Sequence, residues 1–129
     1  MHLPKTDLPI KMNALGATAR HLPNFGIGSG PLAVEYFTLA AGVDIAPLLQ
    51  GLPDDACQAE HWGYLLNGKV VVTYSDDSQE FCSGGDVFYW PAGHSVRVEE
   101  DADMVLFSAQ DEHLQAMNHM LEKLATIPA

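Results

Sequence analysis

The chain has 129 residues, of which 47% are apolar, a composition that suits one globular domain with a single core and excludes a chain disordered throughout. Acidic residues outnumber Lys and Arg by 17 to 6, which gives a formal net charge of -11, and no cluster of basic residues occurs. Such a surface repels phosphate groups, so we expect no nucleic-acid partner and no membrane partner.

The cysteine content and the apolar segments bear on where the protein works. Cys57 and Cys82 are too few for a disulfide scaffold, although a single bridge between them stays open as an alternative. The first residues contain no apolar stretch of signal-peptide length, and no segment approaches the roughly 20 apolar residues of a membrane span. We therefore expect a reduced, cytoplasmic protein.

The first third of the chain predicts an arm followed by a strand. Residues 1–30 hold several prolines and the glycine-rich run GIGSG, and we interpret them as an irregular N-terminal arm with one edge strand near Ala17–Leu22. The GIGSG run at 26–30 lacks the flanking strand and helix of a phosphate loop and is predicted as a turn. LAVEYFTL over 32–39 is rich in β-branched and aromatic residues and predicts a strand, which a loop over 43–55 follows.

Six short strands are predicted from residue 59 onward. Asn67-Gly68 is typical of a tight hairpin turn with two positive φ angles, and Glu100-Asp101 predicts another turn. Strands separated by turns at such short intervals predict an all-β sandwich or closed barrel. The six strand segments are AEHWGYLL, KVVVTY, QEFC, DVFYW, HSVRVE and DMVLFS.

The end of the chain changes from strand to helix periodicity. Leu114, Met117, Leu121 and Leu124 fall on one helical face, so we predict an α-helix over 111–126 that packs on the barrel. Its N-terminus could be capped by the side chain of Ser108 or Asp111. Residues 1–129 are thus expected to form a single domain, with the arm over 1–30 and the barrel over 32–108.

One stretch of the sequence resembles the second motif of the cupin superfamily. That motif has a glycine, five residues, a proline, any residue, a glycine, two residues and a histidine. Gly85 is followed by DVFYW and then by Pro91-Ala92-Gly93, which agrees with the motif up to its histidine. The histidine position is Val96, and His94 stands two residues earlier.

The first cupin motif is matched less well. Gly68 agrees with its final glycine, the position of its glutamate is His61, and its two histidine positions fall on residues 54 and 56 or 55 and 57. The resemblance covers roughly residues 51–108 and implies a small, RmlC-like, single-domain cupin with degenerate metal-binding motifs. It implies an all-β fold, the double-stranded β-helix or cupin jelly-roll barrel, with an irregular N-terminal arm and one C-terminal α-helix.

The resemblance also implies a position for a metal inside the barrel, where family members hold a divalent transition metal with imidazoles and a carboxylate. Strand alternation puts residues two apart on one face, so Cys57, His61 and His94, together with Asp55, could gather around one point. A thiolate with two imidazoles suits zinc, and copper less often. The alternative is that these side chains are hydrogen-bonded residues of a pocket without metal.

The same alternation separates inner and outer residues. We expect Leu65 and Val96 to share the pocket with His61 and His94, and Tyr89 is a further candidate for its lining. In the first predicted strand of the barrel, AEHWGYLL, the large apolar residues between the inward positions should face outward. A row of this kind seldom stays exposed on a monomer, so we expect a homodimer. The outward residues are Trp62, Tyr64 and Leu66.

Two classes of function follow. The first is a protein that binds a small, mostly apolar molecule in the barrel interior, with a degenerate metal site. The alternative is a metal-dependent cupin enzyme using zinc, iron or manganese, such as a dioxygenase, isomerase or decarboxylase acting on a small molecule. In the enzyme, His61 is the candidate catalytic residue, because the pKa of an imidazole ordinarily lies near neutrality and suits general acid or base work.

Overall fold

The computed structural model describes residues 1–25 and 30–127, so most of the predicted glycine-rich turn and the last two residues lie outside it. Within these residues, the strands are β1 Ile10–Ala14, β2 Ala17–Leu22, β3 Leu32–Leu39, β4 His61–Tyr74, β5 Gln79–Ser83, β6 Val87–Trp90 and β7 His94–Ala109, and the helix α1 spans Gln110–Ala125. The seven strands are antiparallel and pair in the order β1-β2-β3-β7-β4-β5, and β6 also pairs with β4. Short 3₁₀ turns occupy Lys5–Asp7, Ala46–Leu49 and Pro53–Asp55.

The predicted hairpin turn at Asn67-Gly68 is wrong. β4 runs through this dipeptide and pairs with β7 on both sides of it, with register shifts between Leu65 and Val70. Gly68 has φ +92°, and a Cβ on it would lie 2.3 Å from the carbonyl oxygen of Asp101. The glycine therefore serves a bulge that bends one long strand, a role that needs the same backbone freedom as a turn.

The predicted turn at Glu100-Asp101 is wrong for the same reason. These residues lie inside the 16-residue strand β7, opposite the irregular part of β4, where Lys69 pairs with Glu100. The carboxylate of Asp101 accepts a hydrogen bond from the backbone N–H of Ala41 at 2.8 Å. Polar residues therefore mark the irregular part of the pairing between two long strands, each of which continues past it.

The N-terminal arm is more regular than predicted. The expected edge strand is present as β2, but a further strand, β1, pairs with it, and the resulting hairpin extends the sheet beyond β3. Among the described residues of this arm, those before Ile10, the turn at Leu15-Gly16 and those after Leu22 lack strand structure, and Lys5–Asp7 form a 3₁₀ turn.

The helix α1 covers the open end of the core. Its buried residues are His113, Ala116, Met117 and Met120, whereas the predicted leucines at 114, 121 and 124 are half-buried at the border of this face. The N-cap is Ala109, which makes no side-chain cap, so the predicted capping by Ser108 or Asp111 is wrong. Among the described residues, no helix combines the length and the apolar character that crossing a membrane requires.

Candidate metal centre

Cys57 and His94 are brought together by main-chain pairing. Cys57 lies before β4 in a segment without strand structure, and it forms an isolated antiparallel bridge with His94, the first residue of β7. The N–H of Cys57 donates to the carbonyl of His94 at 2.8 Å, and the N–H of Gly93 donates to the carbonyl of Cys57 at 2.7 Å. Because directly bridged residues project to the same side, the thiol and the imidazole both point into the core.

His61 completes a compact group. It begins β4, and its Nε2 lies 3.9 Å from Sγ of Cys57, while its ring centroid lies 4.8 Å from that of His94. The donor atoms of Cys57, His61 and His94 all lie within 4.8 Å of one another, and the three residues are buried. Asp55 does not join them, since it is exposed in a 3₁₀ turn and accepts a hydrogen bond from the N–H of Gly51.

Oxygen atoms hold the other ring nitrogens of both histidines. Nδ1 of His61 lies 2.5 Å from Oγ of Ser108, and Nδ1 of His94 lies 2.7 Å from the carbonyl oxygen of Pro91. Metal-binding histidines usually have one nitrogen held in this way, which fixes the ring and leaves the other nitrogen for the metal. The three residues therefore form a cluster that could hold a metal ion.

Two buried ionisable residues beside this cluster were missed by the sequence analysis. Glu35 on β3 is fully buried, and its Oε1 lies 2.9 Å from Nε2 of His113 on α1. Its Oε2 accepts a hydrogen bond from Ser108 at 3.1 Å. Periodicity offered a signal for each: Glu35 alternates with Ala33 on an otherwise apolar strand face. His113 precedes Met117 by one helical turn and so shares its face.

Charge interactions hold Cys57 and His113 in their ionised forms. Burial by itself would raise the pKa of Cys57, but its interactions with His113, His61 and His94 outweigh burial and lower the pKa to about 3. Burial would likewise lower the pKa of His113, but its interactions with Cys57 and Glu35 raise the value to about 9. At neutral pH the metal-free cluster therefore contains a thiolate beside an imidazolium.

His61 is held in its neutral form. Burial is the main cause that lowers its pKa, to about 4, and it outweighs the opposing effect of the Cys57 thiolate. A neutral imidazole offers a lone pair to a metal at pH 7. The near-neutral pKa that we expected for a general acid or base is therefore shifted well into the acid range, and the catalytic role of His61 stays a prediction.

An enclosed, largely apolar cavity adjoins the cluster. Its volume is about 50 Å³, counted as space for the centres of water molecules. Val96 lines it together with His61 and His94, whereas Leu65 is buried in the core outside the lining. Tyr89 is also no part of this cavity, because its side chain is half-exposed and hydrogen-bonded to Glu60. Other lining residues include Phe37, Leu49, Met104, Met117 and Met120.

The outer face of β4 carries the exposed row that alternation predicted. Trp62, Tyr64 and Leu66 are 45%, 44% and 43% exposed. Trp62 lies beside Tyr89 of β6, with ring centroids 5.2 Å apart, and Tyr64 pairs with Val87. We call these five residues the outer apolar patch. Cys57 and Cys82 are both free thiols, so the alternative of a bridge between them is not realised.

Comparison with known proteins identifies the fold. No protein-family profile matches the sequence, and no curated protein does either. Among solved structures, an oxalate decarboxylase of Lactobacillus farciminis in a formate complex superimposes with a TM-score of 0.59 at 16% identity, over 81% of this chain and 31% of that enzyme. The chain thus spans under a third of the decarboxylase.

Smaller proteins match over nearly their full length. KdgF from Halomonas sp. gives a TM-score of 0.56 at 16% identity, over 86% of this chain and 94% of that protein. An RmlC-like cupin from Shewanella frigidimarina gives a TM-score of 0.56 at 14% identity, over 86% of this chain and 93% of that protein. At these identities the likeness establishes the fold alone. The protein has the cupin jelly-roll fold, and the expected all-β class with a C-terminal helix is confirmed.

Proposed function

We propose that this protein binds a divalent transition metal through Cys57, His61 and His94, and that the adjoining cavity takes a small, mostly apolar ligand. The observation that carries the proposal is the set of three buried donor atoms within 4.8 Å of one another. Burying a thiol and two imidazoles at one point, with both rings oriented by oxygen atoms, is costly unless the group has an electrostatic partner.

The donor set favours zinc. The thiolate of Cys57 is a soft ligand, and neutral imidazoles suit zinc and copper, whereas magnesium and calcium prefer oxygen ligands. Both requirements are met near pH 7, where the low pKa values of Cys57 and His61 give a thiolate and a neutral imidazole. We therefore expect zinc to bind without a large proton release from Cys57.

The size and lining of the cavity limit the ligand. A water molecule needs roughly 10–15 Å³ of such space, so a volume of about 50 Å³ has room for a few waters or an organic group of similar size. Apolar side chains such as Val96, Leu49 and Met117 supply most of the surface. A small apolar molecule fits this cavity better than a sugar or a polyanion, whose polar groups would lose their hydration.

A metal-dependent enzyme is the second candidate. Three protein ligands leave a coordination position open, as in catalytic zinc sites, and the cavity lies next to it. When bound, the metal would polarise a substrate oxygen or activate water or dioxygen, chemistry that suits a dioxygenase, isomerase or decarboxylase. The oxalate decarboxylase with the same fold shares too little sequence to choose among them.

We also infer that two copies pair through the outer apolar patch. Five exposed side chains lie on the adjacent strands β4 and β6, and the carboxyl group of Glu60 borders them at Tyr89. A second copy is the occupant that this surface fits, since a self-complementary patch generates a closed two-fold dimer. A cytoplasmic location remains part of the proposal, because two buried free thiols are compatible with a reducing compartment.

The metal proposal is tested by elemental analysis of tag-free protein. Wild type and the control His2→Ala, which alters an exposed histidine, should each contain close to one metal ion per chain. His61→Ala should contain little, since it removes a central donor. If wild type takes up no metal even after zinc, iron or manganese is added, the metal proposal is wrong, and the search turns to ligands of a metal-free cavity.

A further inference from the structure

We propose that His113, carried by the C-terminal helix, is the fourth ligand of the metal, so that one thiolate and three imidazoles surround the ion. This inference rests on the metal site proposed above and adds to it a residue outside the two cupin motifs. It also assigns a task to the helix, which would close the open end of the jelly roll by contributing a donor atom.

The position of His113 supports this role. The residue is 2% exposed, lines the same cavity as Cys57, His61 and His94, and its ring centroid lies 4.9 Å from that of His61. It lies outside the group of three donors that fall within 4.8 Å of one another, and it adjoins that group on the side of Cys57 and His61.

The surroundings of its ring repeat the pattern of the other two histidines. Nε2 of His113 faces Oε1 of Glu35 at 2.9 Å. Both ring nitrogens are buried, and within the described parts of the chain neither makes a hydrogen bond, so Glu35 meets Nε2 only as an ion-pair partner. His61 and His94 likewise have one nitrogen at an oxygen atom, of Ser108 and Pro91 respectively. A histidine held by a carboxylate through one nitrogen is the common arrangement of a metal ligand.

Ser108 links this fourth position to the three others. Its hydroxyl lies 2.5 Å from Nδ1 of His61 and 3.1 Å from Oε2 of Glu35. The hydroxyl of Ser108 therefore contacts both His61 and Glu35, the residue beside His113. Such a connection makes the two imidazoles a coupled pair rather than independent core residues.

A four-ligand site would have a different function from an open one. Closed tetrahedral sites stabilise structure, whereas catalytic sites keep a position for water or substrate. With His113 bound, the cavity would remain as an apolar chamber beside a saturated metal, which favours the binding protein over the enzyme. Metal binding would also fasten α1 to the strands that carry the other ligands.

Cobalt substitution tests the inference directly. We expect wild-type protein to bind cobalt(II) with intense tetrahedral bands in the visible spectrum and a thiolate charge-transfer band in the near ultraviolet. His113→Leu should keep the charge-transfer band and lose most of the visible intensity. Its zinc affinity should fall by more than the roughly 10- to 100-fold that is typical when a residue orienting a metal ligand is lost. His119→Leu, on the same helix, is the matched control and should behave as wild type.

The outcomes separate the two proposals. If wild type binds no cobalt, the metal site itself is wrong, and this inference falls with it. If wild type binds cobalt and His113→Leu has the same spectrum and zinc affinity, the metal site stands and His113 is no ligand. Should His113→Leu fail to fold, the same comparison is made with Glu35→Gln, which keeps the histidine and should weaken zinc binding about 10- to 100-fold. An unchanged affinity in that variant would likewise overturn the inference.

Discussion

Glu35 and His113 approach each other to 2.9 Å across the core, although one lies on β3 and the other on the C-terminal helix. Both are almost fully buried, and the thiolate of Cys57 adjoins the histidine. A carboxyl group, an imidazolium and a thiolate thus share a small region lined by apolar residues, and burial raises the pKa of the Glu35 carboxyl group above its ordinary value. The stability and the pH response of the protein should both depend on this arrangement.

Removing the carboxylate should destabilise the metal-free protein strongly. In Glu35→Ala the imidazolium of His113 loses its partner inside the core, and breaking such a buried pair costs about 3–5 kcal/mol. Urea unfolding gives the free energy of unfolding. Glu99→Ala is the control, since Glu99 meets Arg97 at 3.7 Å with both side chains well exposed, and its loss should cost less than about 1 kcal/mol. Equal losses in the two variants would show that the pair is not what stabilises the core.

The two cysteines should differ in their ionisation. The pKa of Cys57 is about 3, whereas burial raises the pKa of Cys82 above its ordinary range. Metal-free wild type should therefore show the ultraviolet absorbance of one thiolate at pH 7. Cys57→Ser should abolish this absorbance, and Cys82→Ser should leave it unchanged. Loss of the signal in the second variant alone would reverse the assignment.

Stability of the metal-free protein should decrease as the pH falls below about 6.5. Burial lowers the pKa of His21 to about 4 from 6.5, with further lowering by His113 and Lys11, so between these values the unfolded chain binds a proton at this residue that the native chain does not. The stabilisation is complete above pH 6.5 and is lost as the pH falls through 4. Each such proton adds up to about 1.4 kcal/mol per pH unit to the slope of the free energy of unfolding against pH.

Urea unfolding at several pH values measures this slope. His21→Gln should flatten it between pH 6.5 and 4, because glutamine does not titrate. His2→Gln, which alters an exposed histidine, should not change it. His61 contributes in the same sense, since its pKa is also about 4. An identical slope in His21→Gln and wild type would mean that His21 is protonated in the native state.

The bend in β4 should depend on Gly68. An added Cβ would meet the carbonyl oxygen of Asp101 at 2.3 Å, in a residue whose φ of +92° already disfavours other side chains. Gly42→Ala is a matched control, because Gly42 has the same φ of +92° and nothing within 4 Å of the added carbon. Gly68→Ala should cost about 1–3 kcal/mol more than the control, the range found for overpacked sites. Similar losses of stability in the two variants would mean that the positive φ alone, and not the contact with Asp101, requires a glycine at residue 68.

The outer apolar patch should control the oligomeric state. Trp62→Glu places a charge at the centre of the proposed dimer interface and should convert dimers to monomers in sedimentation velocity experiments. Ile127→Glu makes the same kind of change at a half-exposed residue beyond α1 and should leave the dimer intact. A monomeric wild type at all accessible concentrations would refute the dimer.

Local patterns in the sequence were sufficient for the fold class and for part of the site. Residue composition predicted the strand β3, an edge strand was expected at β2, and alternation predicted the outward row Trp62, Tyr64 and Leu66, because the two-residue period of a strand depends only on neighbouring residues. The run from Gly85 to Gly93 indicated the cupin fold. Cys57, His61 and His94 were singled out by chemistry and by their positions relative to that motif, and the structure brings these three together.

Long-range pairing decided what local patterns left open. Asn67-Gly68 and Glu100-Asp101 contain residue types that serve turns and bulges alike, and only the pairing of β4 with β7 on both sides makes them bends in continuous strands. Cys57 faces inward because it bridges to His94, not because its own segment is a strand. The pair of Glu35 and His113 joins β3 to the C-terminal helix, and although periodicity places each residue on a buried face, the spacing within either segment does not show that the two meet.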